Sequence, residues 1–369
     1  MPVILFLIIL VALILVHEFG HFIVAKLSKI RVDEFGIGFP PKLFGIKKGE
    51  TEYTVNTLPF GGFVKIFGED AHEEALSGPD SERSFVHKPA YIQAFVLVAG
   101  VGFNVLFAWF LLSLGFMMGI PSSLAPDNVS YASDARVMIT NVLPDSPAAQ
   151  AGLLAGDIVL AISSLEESGQ TESPEVISSF IADRGAHKEP ITLEVKREEV
   201  IASFTLEPRP GIIAAEKERP AIGISMDLVG TVVLPFPKAI YEGGLLTARL
   251  TGETAVGIVD FLKDAVMLAA NFSQITGPVG IVGLVGEASA LGFVHLIIFM
   301  AFISINLAII NLLPFPALDG GRLLFVIIET LKGSPIRPKV VQVLNTVGFV
   351  LLILLMVAVT YQDIARLAS

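Results

Sequence analysis

The chain has 369 residues, 53% of them hydrophobic and 17% charged, with a net charge of −11 and a mean hydropathy of +0.71. That is the composition of a membrane protein with a polar part attached, and the acidic balance argues against a nucleic-acid partner. There is no cysteine, so disulfides, thiol catalysis and any zinc site built on Cys are excluded.

The first apolar segment runs from about Pro2 to Leu27, within a first division at 1–29, and is long enough to cross a bilayer. It has no basic residue before Lys26, so it lacks the n-region of a signal peptide and is expected to be retained. Inside it lies His17-Glu18-Phe19-Gly20-His21, and two of the chain's six histidines thus stand four residues apart. On a helix that spacing puts both imidazoles on one face, one turn apart, within reach of a single metal ion. Glu18 points to a neighbouring side, where it can take a proton from a metal-activated water. The alternative is an accidental match with two packing histidines. The membrane setting weighs against it, because ionisable groups in a span are costly and usually functional.

Lys26, Lys29 and Arg31 follow at once, so the positive-inside rule places the N-terminus outside and the next loop inside. Residues 30–89 hold Gly/Pro-punctuated, β-like stretches, Phe35–Pro41 and Tyr53–Ile66, which read as membrane-associated hairpins. Two readings stand side by side: an ordinary cytoplasmic hairpin, or a sheet whose free edge pairs with an extended substrate. In the second, Gly61 and Gly62 are the candidate substrate-contacting residues. The acidic stretch from Gly68 to Ser84 reads as a solvated loop.

A second span is expected at 90–120. It carries Ala99-Gly100-Val101-Gly102-Phe103-Asn104, where small residues permit close helix contact. Asn104 either hydrogen-bonds across helices or lines the site. Residues 121–228 read as a soluble α+β unit: strand-like runs at Val137–Thr140, Ile158–Ile162 and Ile191–Val195, with one helical stretch near Pro174 to Arg184. Residues 229–290 read as an amphipathic helix on the outer membrane surface, or a soluble coupling helix, followed by a Gly/Pro loop at Gly277-Pro278-Val279-Gly280.

The third span, in 291–339, ends in Asn311-Leu312-Leu313-Pro314-Phe315-Pro316-Ala317-Leu318-Asp319-Gly320-Gly321. The prolines break the helix, and irregular backbone at membrane depth belongs where protein or a cavity surrounds it. Basic residues follow, so this end faces inside, and a fourth span in 340–369 returns the C-terminus outside. The first and third spans then run in the same direction, and Asp319 lies at the depth of the histidines. A catalytic zinc takes three protein ligands and leaves one position open. Asp319 is the best third ligand; its alternative is a helix N-cap.

The stretch Ser146-Pro147-Ala148-Ala149-Gln150-Ala151-Gly152-Leu153-Leu154-Ala155-Gly156-Asp157 resembles a PDZ domain. That resemblance implies a peptide-binding loop at Ile222-Gly223-Ile224, or a domain that only blocks access. The paired motifs H-E-F-G-H and N-L-L-P-F-P-A-L-D-G-G, with the order of spans, resemble the site-2 protease family of intramembrane zinc metalloproteases, of the bacterial regulator of sigma-E protease type. The resemblance implies a polytopic α-helical membrane protein of about four transmembrane helices, with membrane-associated β-hairpins and an inserted PDZ domain. It implies Zn2+ held by His17, His21 and Asp319, Glu18 as general base, and Asn311 holding the substrate backbone or the oxyanion. Its implied partners are single-span membrane proteins trimmed outside, such as anti-sigma factors and leftover signal peptides, in regulated intramembrane proteolysis. The implied place is the bacterial inner (plasma) membrane, with both termini and the PDZ domain extracytoplasmic and the active site towards the cytoplasmic side. Departures are Gly38-Phe39-Pro40-Pro41 where the family has G-F-G-P, and Val101 where its second span has proline. A His/Asp proton-coupled transporter predicts more spans and an inverted repeat, neither of which is visible. A catalytically dead scaffold has no use for Glu18.

Overall fold

The computed structural model describes residues 2–69, 78–124, 129–165, 167–197, 200–212, 218–267 and 276–368. Part of the acidic stretch expected as a loop, 70–77, lies outside them. Four helices among the described residues are long and apolar enough to cross a membrane, at Pro2–Leu27, Ala90–Met118, Phe293–Leu312 and Pro338–Arg366. The protein is a multi-pass membrane protein with β-rich insertions. It divides into two compact units, one of residues 1–115 with 236–369 and one of 116–235.

Helix α1, Pro2–Leu27, has apolar residues all round, yet it buries one stripe: Ile9, Leu13, His17, Gly20 and His21. The steps of three and four residues are those of one helix face. The metal motif is thus a continuation of the face on which the helix packs. Strands β1, Val32–Lys48, and β2, Thr51–Ile66, follow as a bent two-stranded sheet. Phe35 pairs with Val64 on one flank and with Tyr53 on the other, so the middle of β1 is covered on both sides. The last part of β2 crosses α1. A Cβ on Gly61 would meet Ile14 at 3.1 Å, and one on Gly62 would meet Leu15 at 3.2 Å, so these glycines admit the strand to the helix. Helix α2, Ala90–Met118, completes this part.

The inserted unit contains β3 (Ile120–Ser123), β4 (Ala132–Val142), α3 (Pro147–Ala151), β5 (Ile158–Ser164), β6 (Ser168–Gly169), α4 (Pro174–Ala186), β7 (Ile191–Arg197), β8 (Val200–Leu206) and β9 (Ile224–Val232). The sheet order is β3-β9-β4-β5-β7-β8, with β6 on β5. Ile191, Leu193 and Val195 are fully buried, the period-two pattern of a strand with one face in a core. The Ser-Pro-Ala-x-x-Ala-Gly pattern is a complete helix specification. Ser146 Oγ accepts from Ala149 N at 3.2 Å, Pro147 opens the first turn, and Gly152 closes it with a left-handed φ of 88°.

The Gly-Asp that follows is structural too. Arg197 donates to both Asp157 oxygens at 2.7 Å, and Leu154 N donates at 3.0 Å. Burial pushes the Asp157 carboxyl up, but these donors outweigh it and hold it below the ordinary carboxylate range. A folded-state value below the unfolded one, near 3.9, stabilises the unit above that pH, and the stabilisation is lost as pH falls through the folded value. Asp157→Asn is therefore expected to lower the stability of residues 116–235 at neutral pH and to flatten its acid dependence. Limited proteolysis of wild type and variant over an acid series in urea reads this directly.

Helix α5, Phe236–Val266, is amphipathic, but its first half is not merely laid on a surface. Gly243 sits against the backbone of Ser113 on α2, Trp109 Nε1 donates to Ile240 O at 2.8 Å, and Thr247 is buried. The Gly/Pro stretch expected as a loop instead starts a helix, α6, Pro278–Ala290. Proline is favoured in the first turn, where its missing N–H is not needed. The Asp363 carboxylate accepts from Gly277 N at 3.1 Å and Gly280 N at 2.8 Å, capping that turn. Val285 and Ala288 of α6 pack with Ile9 and Leu13 of α1. Helix α7, Phe293–Leu312, ends before the prolines; α8, Asp319–Lys332, and α9, Pro338–Ala368, follow.

Candidate metal centre

The turn between α7 and α8 is unusually tight. A Cβ on Gly320 would fall on the carbonyl oxygens of Leu312 and Leu313, and one on Gly321 on that of Phe315. Glycine at both positions lets α8 start against the end of α7. Asn345 Oδ1 of α9 accepts from Ala317 N at 3.2 Å and holds the loop from outside. This fixes where the first residue of α8, Asp319, points its side chain.

It points at the histidines. His17 Nε2 lies 2.9 Å from Asp319 Oδ2, His21 Nε2 lies 3.3 Å from the same oxygen, and the two nitrogens are 3.1 Å apart. Asp319 stands 302 positions from His17 in the chain. Its side chain caps nothing: the residue before α8 is Leu318, and no side-chain cap bond is made there. The histidine rings are 7% and 9% exposed and the carboxylate 23%, so the triad opens on the Asp319 side.

The donor set fits zinc. With bonds of about 2.0–2.1 Å, tetrahedral ligand atoms stand roughly 3.3 Å apart, close to the three separations here. His21 Nδ1 lies 2.8 Å from Val96 O. That bond places the proton on Nδ1 and leaves Nε2 bare towards the site, the usual support of a ligating imidazole. Two neutral imidazoles and one carboxylate leave a fourth position free.

Around this position stand the other residues singled out from the sequence. Glu18 lies beside β2: a Cβ on Gly62 would come 3.9 Å from its Cγ. Gly61 packs on Ile14 and Phe39 rather than on the histidines. Asn311 Nδ2 is 3.4 Å from His17 Nε2. Asn104 is fully buried, 3.3 Å from His17 Nδ1, so it both crosses between helices and meets the site.

Three contributors were not legible. Val96 gives a backbone carbonyl. Gly100 leaves room, since a Cβ there would meet His17 Cε1 at 2.7 Å and also run into His21 Nε2. Arg322, one turn beyond Asp319, pairs with Glu69 and carries its positive charge near Glu18. Its i+3 spacing from Asp319 was the available signal.

In the inserted unit, Ile222 is buried in the core, and its carbonyl accepts from Ala148 N at 2.9 Å. Gly223 has a φ of 84°, and its carbonyl accepts from Leu143 N at 2.9 Å. A Cβ there would strike Ser146, so the loop is pressed onto the start of α3. Ile224 opens β9 opposite Val142.

The family model for Peptidase family M50 matches residues 5–355. A protein of Clostridium perfringens named provisionally as a zinc metalloprotease is 38% identical over 354 residues, 96% of this chain and 95% of its own. The regulator of sigma-W protease RasP of Bacillus subtilis is 28% identical over 441 residues, 99% of this chain and 98% of its own. The zinc metalloprotease RasP of Geobacillus kaustophilus is also 28% identical, over 98% of this chain and 97% of its own.

Proposed function

Because the chain belongs to peptidase family M50, and is an intramembrane zinc metalloprotease acting on protein substrates, we propose that it cuts single-span membrane proteins within their membrane segments. The observation that carries this is the meeting of His17, His21 and Asp319 at 2.9–3.3 Å, from helices at opposite ends of the chain. The name of the B. subtilis relative, a regulator of a sigma factor, supports anti-sigma factors as the substrate class, in regulated intramembrane proteolysis. Remnant signal peptides share the same chemistry.

When bound, zinc supplies Lewis-acid polarisation of a carbonyl and acidifies water. Glu18 takes the proton of the attacking water and delivers it to the leaving amine nitrogen as the peptide C–N bond breaks. Asn311 directs its amide into the space beside His17 and steadies the developing oxyanion or the substrate backbone. A substrate helix must unwind first, since its carbonyls are engaged in its own hydrogen bonds. The end of β2 at Gly61, Gly62 and Val64 offers backbone beside Glu18, where an unwound segment adds as a strand. The proposed topology has both termini and residues 116–235 outside and the metal centre towards the inside, in keeping with Lys26, Lys29 and Arg31 after α1. The inserted unit serves as a PDZ domain, with Ile222-Gly223-Ile224 as its peptide loop, and excludes substrates that still carry a folded external domain.

The test is cleavage of a short single-span substrate by the purified chain in detergent, zinc-loaded beside chelated. Cleavage only by the loaded form, within the apolar segment, is the expected result. Chelator-insensitive cleavage would reject the assignment. His21→Ala is expected to lose bound zinc while keeping its helix content, measured by metal analysis and circular dichroism.

A further inference from the structure

Each ligating imidazole has a second nitrogen, and on the assignment above its state decides whether the first can bind metal. A neutral imidazole that offers Nε2 to zinc carries its proton on Nδ1, and a buried N–H needs an acceptor. For His21 the acceptor is Val96 O. For His17 the group at Nδ1 is the carboxamide of Asn104, with Nδ2 drawn 3.3 Å away.

Val96, Gly100 and Asn104 are spaced i, i+4, i+8 and form one stripe on α2. The stripe lies against His17 and His21, which are themselves i, i+4 on α1. Gly100, in the middle, has no side chain, and α2 approaches until the rings rest on its backbone. The residues above and below then present one group to each Nδ1.

A carboxamide has two faces, NH2 and C=O, exchanged by a half-turn. As the amide stands, NH2 faces His17, so Nδ1 would have to be the bare nitrogen and Nε2 would carry the proton, which a metal ligand cannot. If Oδ1 faces His17, Nδ1 keeps its proton and Nε2 is free. In that first orientation the buried Oδ1 has no hydrogen-bond partner among the described residues, so no competing hydrogen bond opposes the half-turn. Ser304 Oγ bonds the backbone oxygen of Asn104, at 2.8 Å, and leaves the carboxamide to the histidine.

We infer that Asn104 is a positioning residue that accepts the Nδ1 proton of His17 through its carboxamide oxygen and thereby holds His17 in its zinc-binding tautomer. The stripe on α2 is a cradle for the metal-binding pair, with a backbone acceptor at one end and a side-chain acceptor at the other.

The experiment is zinc affinity of the full-length chain in detergent, stripped of metal and titrated with chelator-buffered Zn2+. Asn104→Leu, close in shape and unable to accept, is expected to bind about 10–100-fold more weakly. Asn104→Asp, which accepts but cannot donate, is expected to bind at least as tightly as wild type. This rescue separates the acceptor role from the opposite carboxamide orientation, in which Asp would fail, and Asn104→Leu, close in volume, tests the acceptor role against packing. Wild-type affinity in Asn104→Leu, or equal losses in the two variants, would overturn the inference. If Asn104→Leu does not fold, Asn104→Asp decides alone, and a loss above tenfold rejects it. A wild-type chain that takes up no zinc would instead reject the metal centre, and this assignment with it.

Discussion

Glu18→Gln is expected to bind zinc as wild type does and to cleave a single-span substrate about 10²–10⁴-fold more slowly, the range for loss of a general acid–base. Glu18 is not among the three converging metal-ligand residues, and Gln preserves its length. What Gln cannot do is take and return a proton. The expected signature is therefore a split: metal content unchanged, substrate still retained on the protein, turnover lost. Joint loss of zinc and cleavage would make Glu18 a ligand or a structural group. Cleavage near the wild-type rate would assign the base elsewhere, and the carboxylate at Glu69, drawn near by Arg322, would be the next group to test.

Gly100→Ala should abolish zinc binding even though the residue contributes no ligand. The added carbon would lie 2.8 Å from His17 Nε2 and against His21 Nε2, in the space those nitrogens need to face the metal. The backbone of α2 cannot retreat without also moving Val96 O and Asn104. The same crossing is tight from the other side, where a Cβ on Gly20 would meet Ala99 O at 2.5 Å. Gly102 is the built-in control: a Cβ there meets nothing within 4 Å, so Gly102→Ala should keep both zinc and activity. Isothermal titration with zinc, run on the three proteins at equal helix content, decides it. Equal affinity in all three would mean that the two helices are not held together as the structure has them.

What the sequence makes legible here is what depends on local spacing. His17 and His21 are one turn apart, so a shared metal follows from helix geometry. Asp319 is the acid in a helix end that proline breaks at the right depth, which singles it out without knowledge of the fold. The Ser146-to-Gly152 helix can be read residue by residue from its caps. What depends on approach between distant segments cannot be read in this way. Val96 contributes a carbonyl that every residue possesses. Gly100 reads as a site of close helix contact, but not as one facing the histidines. Gly277-Pro278-Val279-Gly280 has the composition of a loop, and it becomes the start of α6 because Asp363, far along the chain, satisfies its first amides. Gly243 looks like part of an amphipathic surface until Ser113 is seen against it, and so does Thr247, which is buried.

That distant cap has a consequence for the order in which the protein is made. The amides of Gly277 and Gly280 have their acceptor, Asp363, on α9, and an apolar setting leaves unpaired amides costly. While the nascent chain is still short of Asp363, α6, which packs Val285 and Ala288 beside Ile9 and Leu13 of the first helix, lacks its cap. The first span and α9 are therefore coupled through α6, and the packing around the metal-binding helix is completed only after Asp363 has been made. A chain stalled or clipped before residue 363 would carry every metal ligand and still be an unfinished enzyme.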